Sequence, residues 1–251
     1  MQPQPLPLFD DQTLERFPYG ARSEAAIFVG DLLHEEVPAL AAADAELEIV
    51  AIARRPGVLA KVAIRPRTGA VTPPVLGIGA DHLARVSQRL DGERIQVVRW
   101  QRSANAYIAD ALGLGEIPPV LLLPWIGHAR VLLGEIDVRG IAGWRGLNSA
   151  LASILTGWRI RLEPIAATPA WRRLHAAMLA RRPVVGTASG RTERGPRLEV
   201  LGLYATLSGA SAEPIVGQEL EVRITRMAPD EGRIIARLDR GSVRGQLSLS
   251  I

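Results

Sequence analysis

Gly143 and Gly146 bracket Trp144 and Arg145. These residue types at this spacing suit the binding of a phosphate chain. Glycine has no Cβ, so it takes backbone angles other residues avoid and lets a phosphodiester come close. A guanidinium pairs with phosphate through two parallel hydrogen bonds. An indole gives a base a flat apolar face to stack on. The N–H groups at the start of a following helix can meet an anion. A competing reading is a plain corner between two helices, with the glycines as caps.

The flanking residues supply the elements that hold such a loop. Leu147, Ala150, Leu151, Ile154 and Leu155 fall at i, i+3, i+4, i+7 and i+8, one apolar face of a helix. Gly157 follows, where a helix ends on a left-handed residue. Ile160 and Leu162 alternate with Arg159 and Arg161, as in a half-buried strand. Asn148 lies on the first turn of the helix. Glycine loop, helix, glycine turn and strand, in that order, make the pattern of a KH module, whose G-x-x-G loop holds about four nucleotides by their backbone.

Other chemistries find little support. The chain has 251 residues, enough for one to three domains, and no cysteine, which excludes disulfides and thiolate metal sites. His34, His82, His128 and His175 are far apart and lack zinc-ligand spacing. There is no Walker-type glycine loop, and Gly113-Leu114-Gly115 reads as a turn. The acidic pairs Asp10-Asp11 and Glu35-Glu36 are adjacent in sequence rather than facing across a pocket. No catalytic residue, metal, cofactor or small-molecule substrate is therefore expected, and the chain reads as a binding protein rather than an enzyme. No apolar run approaches the roughly 20 residues of a membrane span. The amino terminus lacks the blocks of a signal peptide. The expectation is a cytoplasmic protein without a membrane partner. Net charge is +4, and all cations but Lys61 are arginine, which suits RNA.

The pattern repeats along the chain. Residues 22–37 read as a helix, Leu47–Ala53 and Lys61–Arg65 as strands, Leu83 to Leu90 as a helix and Arg94–Trp100 as a strand. Leu90-Asp91-Gly92-Glu93-Arg94-Ile95 matches Leu155-Thr156-Gly157-Trp158-Arg159-Ile160. Gly77-Ile78-Gly79-Ala80 falls where Gly143 to Gly146 falls in the second copy, one residue longer. A helix capped by Ser103 and strands at 119–124 and 129–133 complete that copy. A repeat of this kind points to two tandem modules. A basic helix over Trp171–Arg181 reads as a solvated linker. Strands at 184–188, 197–207, 219–227, 233–238 and 245–250 suit an OB-type barrel.

From about Ser23 to Leu162 the chain resembles the bacterial transcription factor NusA family. The resemblance rests on Glu36-Val37-Pro38, on Glu48 to Gly57 with Lys61-Val62-Ala63, and on Leu90 to Trp100. It continues through Asn105 to Leu112 and Leu151 to Trp158. It implies an α+β chain with two tandem type II KH domains, at 23–102 and 103–165. A lead-in at 1–22, a linker helix at 166–182 and an OB-like barrel at 183–251 complete the expected layout. The barrel is also similar to the RNA-binding repeat of the largest small-subunit ribosomal protein. The implied function is single-stranded RNA binding in transcription elongation, termination or antitermination. RNA polymerase or the ribosome are the implied protein partners. Gly143, Trp144, Arg145, Gly146, Asn148, Arg159 and Arg161 are the expected RNA contacts. Gly77, Gly79, His82 and Arg85 are weaker candidates.

Departures from the family pattern matter too. Residues 1–22 are too few for the family's polymerase-binding domain, and the OB-like segment follows the KH pair instead of preceding it. The first loop ends in Ala80 and carries Asp81 beside it. In the second, family glutamine and arginine positions are Leu147 and Ala150. A protein-interaction scaffold with weak or lost RNA binding is the alternative.

Overall fold

The computed structural model describes residues 15–18, 24–37, 40, 47–66, 79–210 and 213–239. The expected lead-in, Gly77 and the strand at 245–250 lie wholly or mostly outside these residues. Contacts divide the chain into two compact units. One comprises residues up to 117 with 122–129 and 141–161, and the other 118–121, 130–140 and 162 onward.

In the first unit, β1 (Glu15–Pro18), β2 (Leu47–Arg55), β3 (Leu59–Pro66) and β4 (Arg94–Arg99) form a sheet in that order. Helices α1 (Glu24–Glu36) and α2 (Ala80–Arg89) belong to the same unit. β3 runs antiparallel to β2 and parallel to β4, with Val62 opposite Val97. Val29, Leu32 and Leu33 of α1, spaced for one helical face, meet Ile49, Ile52, Val62 and Ile64 of the sheet and Val86 of α2 in one buried cluster.

The opposite face of β2 and β3 is buried as well. It carries small residues, Ala51, Ala53 and Ala63, beside Lys61. Helix α5 (Leu147–Thr156) packs there, where the small side chains allow its close approach, and α3 (Ala104–Leu112) packs on α5 and β4. Burial on both faces explains why Ile49 to Ala53 reads as one apolar run rather than an alternation.

Two buried polar groups brace this unit. Lys61 is fully buried. Its Nζ donates to Gln96 Oε1 at 2.5 Å and to the Ala111 carbonyl, in the last turn of α3, at 2.7 Å. Burial, aided by the charge of Arg94, lowers its pKa to about 7. Arg54 grips Glu93 bidentately, at 3.1 and 2.6 Å, and the Gly57 N–H donates to the same carboxylate at 2.9 Å.

Ser103 caps α3 by accepting from the Ala106 N–H, and Gly113 ends it at φ 78°. Next come β5 (Val120–Leu123), β6 (His128–Leu133), α4 (Glu135–Ala142), α5 and β7 (Arg159–Pro164), with the strands in the sheet order β5-β6-β7. That order repeats β2-β3-β4. The matched turns coincide also in conformation, Gly92 at φ 85° and Gly157 at φ 76°.

In the second unit, β8 (Val184–Thr192), β9 (Gly195–Val200), β10 (Leu203–Leu207), β11 (Glu219–Ala228) and β12 (Arg233–Leu238) close a barrel in the order β10-β12-β11-β8-β9. Only β10 and β12 pair in parallel. Inward alternation of Leu203, Ala205 and Leu207, and of Ile234 and Ala236, fills its core. The single strand expected at 197–207 is a hairpin. Leu201 (φ 53°) and Gly202 (φ 76°) make a two-residue turn, with Val200 opposite Leu203. Helix α6 (Pro169–Leu179) is capped by Thr168, whose hydroxyl accepts from the Trp171 N–H. It does not lie solvated, because Trp171 and Leu174 enter the barrel core. Arg172 and Arg173 stay exposed.

Candidate nucleic-acid interface

Helix α5 is what fixes the glycine loop. Leu147, Leu151, Ala152 and Leu155 are buried, and the helix packs on α3, β2 and β3. Tyr107 of α3 donates its hydroxyl to the Leu155 carbonyl at 3.3 Å. At its start, Asn148 Nδ2 donates to the Leu112 carbonyl at 3.0 Å and the Ile141 carbonyl at 2.7 Å. The Asn148 amide nitrogen thus ties the loop to the ends of α3 and α4. Its structural role is as a brace beneath the loop.

The loop itself is a short turn of 3-10 helix with three left-handed residues. Gly143 sits at φ 74°, ψ −178°, a conformation essentially reserved for glycine. A Cβ there would lie 2.9 Å from Asn148 Cβ. Arg145 is held at φ 50°, uncommon for a residue with a side chain. Gly146 takes φ 78°, ψ 11°, and a Cβ there would meet nothing nearer than Ser149 Oγ at 3.8 Å. The two glycines therefore differ. Gly143 is demanded by the packing beneath the loop, whereas a Cβ at Gly146 would find room at ordinary contact distance.

Trp144 is 61% exposed. The Arg145 guanidinium lies 4.9 Å from the centre of its ring, and that of Arg55, at the end of β2, lies 5.7 Å from it. Sequence reasoning missed Arg55. Its only local signal is a cation beside a glycine turn, and its nearness to Trp144 is a product of the tertiary fold. Arg159 and Arg161 lie on the exposed face of β7, where Arg159 Nη1 comes within 3.5 Å of His128 Nε2.

At the first loop the geometry differs. Gly79 has φ −66°, ψ 153°, ordinary extended backbone, and precedes α2 as its cap. His82 Nδ1 is 2.5 Å from the Glu36 carbonyl, and Arg85 Nε donates to the Glu36 carboxylate at 2.7 Å. Arg89 bridges Glu35 and Glu36 at 2.5 and 3.5 Å. The hydrogen bond from Arg85 is the main cause that holds the Glu36 carboxyl below its ordinary pKa. The candidate side chains His82 and Arg85 of this loop are therefore engaged with α1.

Among the described residues, no group of three or more His, Cys, Asp or Glu side chains is placed to hold a metal ion. None of their helices is long and apolar enough to cross a membrane.

A family model described as the NusA-like first KH domain matches residues 23–100. The transcription termination/antitermination protein NusA of Mycobacterium bovis is 31% identical over 144 residues, 56% of this chain and 41% of that protein. The protein of the same name from Thermus thermophilus is 33% identical over 134 residues, 53% of this chain and 34% of its own length. That of Bacillus subtilis is 27% identical over 134 residues, again 53% of this chain, and 36% of its own length. The chain spans well under half the length of these curated relatives. The chain is similar to NusA over about half of its length, and its residues 23–100, which hold α1, β2, β3, α2 and β4, match the model of a NusA-like first KH domain.

Proposed function

We propose that this chain is a single-stranded RNA-binding protein acting in transcription termination or antitermination, as the names of its relatives state for them. It is a binding protein, not an enzyme, and its role is a cytoplasmic one. RNA enters at Gly143–Gly146. The observation that carries this reading is the loop itself: Trp144 and Arg145 stand exposed at the start of α5, beside Gly146, where even a Cβ would meet no clash. The backbone passes over Gly146, Arg145 meets phosphate, and Trp144 stacks on a base, worth roughly 1–3 kcal/mol. Arg159 and Arg161 extend the cationic track along β7, and Asn148 supports it from below.

The proposed layout is a pair of type II KH domains, 23–102 and 103–165, followed by α6 and an OB-like barrel. The repeated strand order supports the pair. For the barrel, support comes from its five strands, numbered from its first, which follow one another around the closure as 1-2-3-5-4. RNA polymerase or the ribosome is the proposed protein partner.

Gly146→Asp tests the site. It should abolish binding of single-stranded RNA in a filter assay while the circular dichroism spectrum stays unchanged. Unchanged affinity would refute the assignment. A scaffold reading draws support from the first loop, where His82 and Arg85 are engaged with Glu36. It predicts binding to purified polymerase or ribosomes and none to oligonucleotides. RNA binding, by contrast, weakens steeply with salt.

A further inference from the structure

We propose that the outer face of β11 and β12 is a second RNA site, an arginine platform that takes the phosphate backbone without reading its bases. The inference rests on the RNA-binding reading above, but on none of the residues of the glycine loop.

The platform belongs to the barrel and is set by strand register. Val222 and Ile224 of β11 enter the barrel core, so strict alternation would turn Arg226 inward with them. A bulge between Ile224 and Arg226 prevents this. Thr225 and Arg226 are both exposed, and Met227 resumes the packing against the core. Bulges re-aim the side chains beside them. This one brings Arg226 to the outer face, opposite Ile235 of β12. On the same face Arg223 lies directly opposite Arg237, and Arg233 opposite Ala228. Arg226 is thus flanked diagonally, on the facing strand, by Arg233 and Arg237.

All four arginines are exposed. Like charges directly opposite on a sheet are destabilising, so folding alone does not favour this arrangement. The chain's own carboxylates answer half of it. Arg223 pairs with Asp239 at 2.8 Å and Arg233 with Glu231 at 2.6 Å. Among the described residues, the guanidinium groups of Arg226 and Arg237 have neither a hydrogen bond nor an ion pair. The outward carboxylates of β11, Glu219 and Glu221, come earlier on the strand, opposite Thr187 and Val185 of β8. Guanidinium groups bind phosphate bidentately. β11 and β12 carry no aromatic residue, so this face offers charge to a backbone and no ring for a base to stack on.

OB barrels commonly meet oligonucleotides on their second and third strands. Here those are β9 and β10, and the cation within them is engaged. Arg197 donates from Nε to Ser189 Oγ at 3.1 Å and from Nη2 to the Ser189 carbonyl at 3.2 Å, with its guanidinium 4.4 Å from the centre of the Tyr204 ring. The unpaired positive charge sits instead on the fourth and fifth strands.

The test is a titration of the full chain with a fluorescently labelled, mixed-sequence single-stranded RNA at salt from roughly 50 to 200 mM. The double variant Arg226→Gln with Arg237→Gln should reduce the slope of log affinity against log salt by about 1.4, because each phosphate contact to a single strand contributes about 0.7. At about 0.1 M salt that change amounts to a loss of affinity of about 25-fold. Arg226→Lys with Arg237→Lys should keep the slope, and neither double variant should melt at a lower temperature than the wild type. Arg191→Gln is the control. Arg191 is exposed on β8 and pairs with Glu213 at 3.1 Å, so this variant should bind like the wild type. Two contacts of this size hold RNA too weakly for a filter to retain it, so Gly146→Asp should still abolish binding in that assay. An unchanged slope for the glutamine variant overturns the inference. If that variant binds RNA normally but loses retention on immobilised polyglutamate, the face belongs to an acidic protein surface and the inference is equally overturned. If it has no effect while Gly146→Asp abolishes binding, the platform fails and the loop stands. The opposite pair of results keeps the platform and refutes the loop. A wild type that binds no RNA refutes both.

Discussion

Replacing Gly143 and Gly146 by alanine should give unequal losses of stability, although the motif treats the two glycines alike. At Gly143 the backbone angles alone cost a side chain about 1–3 kcal/mol. The new Cβ would also sit 2.9 Å from Asn148 Cβ and 3.3 Å from its backbone nitrogen. Asn148 must then move, which weakens its bonds to the Leu112 and Ile141 carbonyls, each worth about 0.5–1.5 kcal/mol. The stiffer unfolded chain returns about 0.4–1 kcal/mol. The net loss for Gly143→Ala is about 3 kcal/mol. At Gly146 only the left-handed backbone opposes alanine, at about 1–2 kcal/mol, and the same return leaves a loss near 1 kcal/mol. Gly146→Asp should cost no more. Aspartate tolerates this conformation better than most residues, and its charge suits a helix amino terminus. Urea unfolding followed by tryptophan fluorescence measures both variants. Equal losses would refute the account of how Asn148 and Gly143 hold the loop. With unequal losses, Gly146 becomes the site for separating binding from folding.

Lys61→Met should remove a pH dependence of stability. The native amine has a pKa of about 7 against 10.5 in the unfolded chain. Between those values the unfolded state holds a proton that the native state lacks, so stability rises with pH and is flat below about 7. From about pH 7.5 to 9 the wild type should gain about 2 kcal/mol relative to the variant, and parallel urea curves would exclude the effect. Glu93→Gln leaves the Arg54 guanidinium buried without its countercharge and should cost about 3 kcal/mol. The double replacement Arg54→Met with Glu93→Leu should recover most of it in thermal unfolding. Gly134→Ala and Gly140→Ala should shift the melting temperature in opposite directions. A Cβ at Gly134 would lie 2.4 Å from the Asp230 carbonyl oxygen, whereas one at Gly140, inside α4, would meet nothing within 4 Å. The latter should gain up to about 1 kcal/mol from helix propensity.

What could be read from the sequence was what short-range signals encode. Ser103 and Gly113 mark the ends of α3, and Gly157 marks the end of α5, because capping depends on neighbours within one turn. The hairpin at Leu201-Gly202 escaped notice because leucine is an unusual first residue for a left-handed turn. The apolar alternation also runs unbroken across it. Helix α6 shows its charges in sequence but not its destination. Trp171 and Leu174 look like two apolar residues on a basic helix until the barrel core surrounds them. Glu93 and Lys61 resemble ordinary strand-edge charges, and only the tertiary fold reveals that both are fully buried. Arg55 belongs to this class. Its relation to Trp144 depends on the packing of α5 against β2, which no local pattern records.

The corresponding loop positions of the sequence repeat differ in their electrostatic surroundings. Each precedes a helix that is followed by a turn with a left-handed glycine, Gly92 or Gly157, and then a strand. In the second copy the loop's cation faces an indole, a neutral partner that an arriving phosphate need not displace. In the first copy the nearby cations face carboxylates. A phosphate reaching Arg85 there would have to take it from Glu36, leaving that carboxylate, with Glu35 next to it in the chain, to repel the newcomer. Its gain would be the difference between two ion pairs, and that difference is small at an exposed site. At Arg145, under the proposed function, a phosphate contact would break no ion pair to either of these carboxylates. This asymmetry favours the second loop on grounds independent of its glycines.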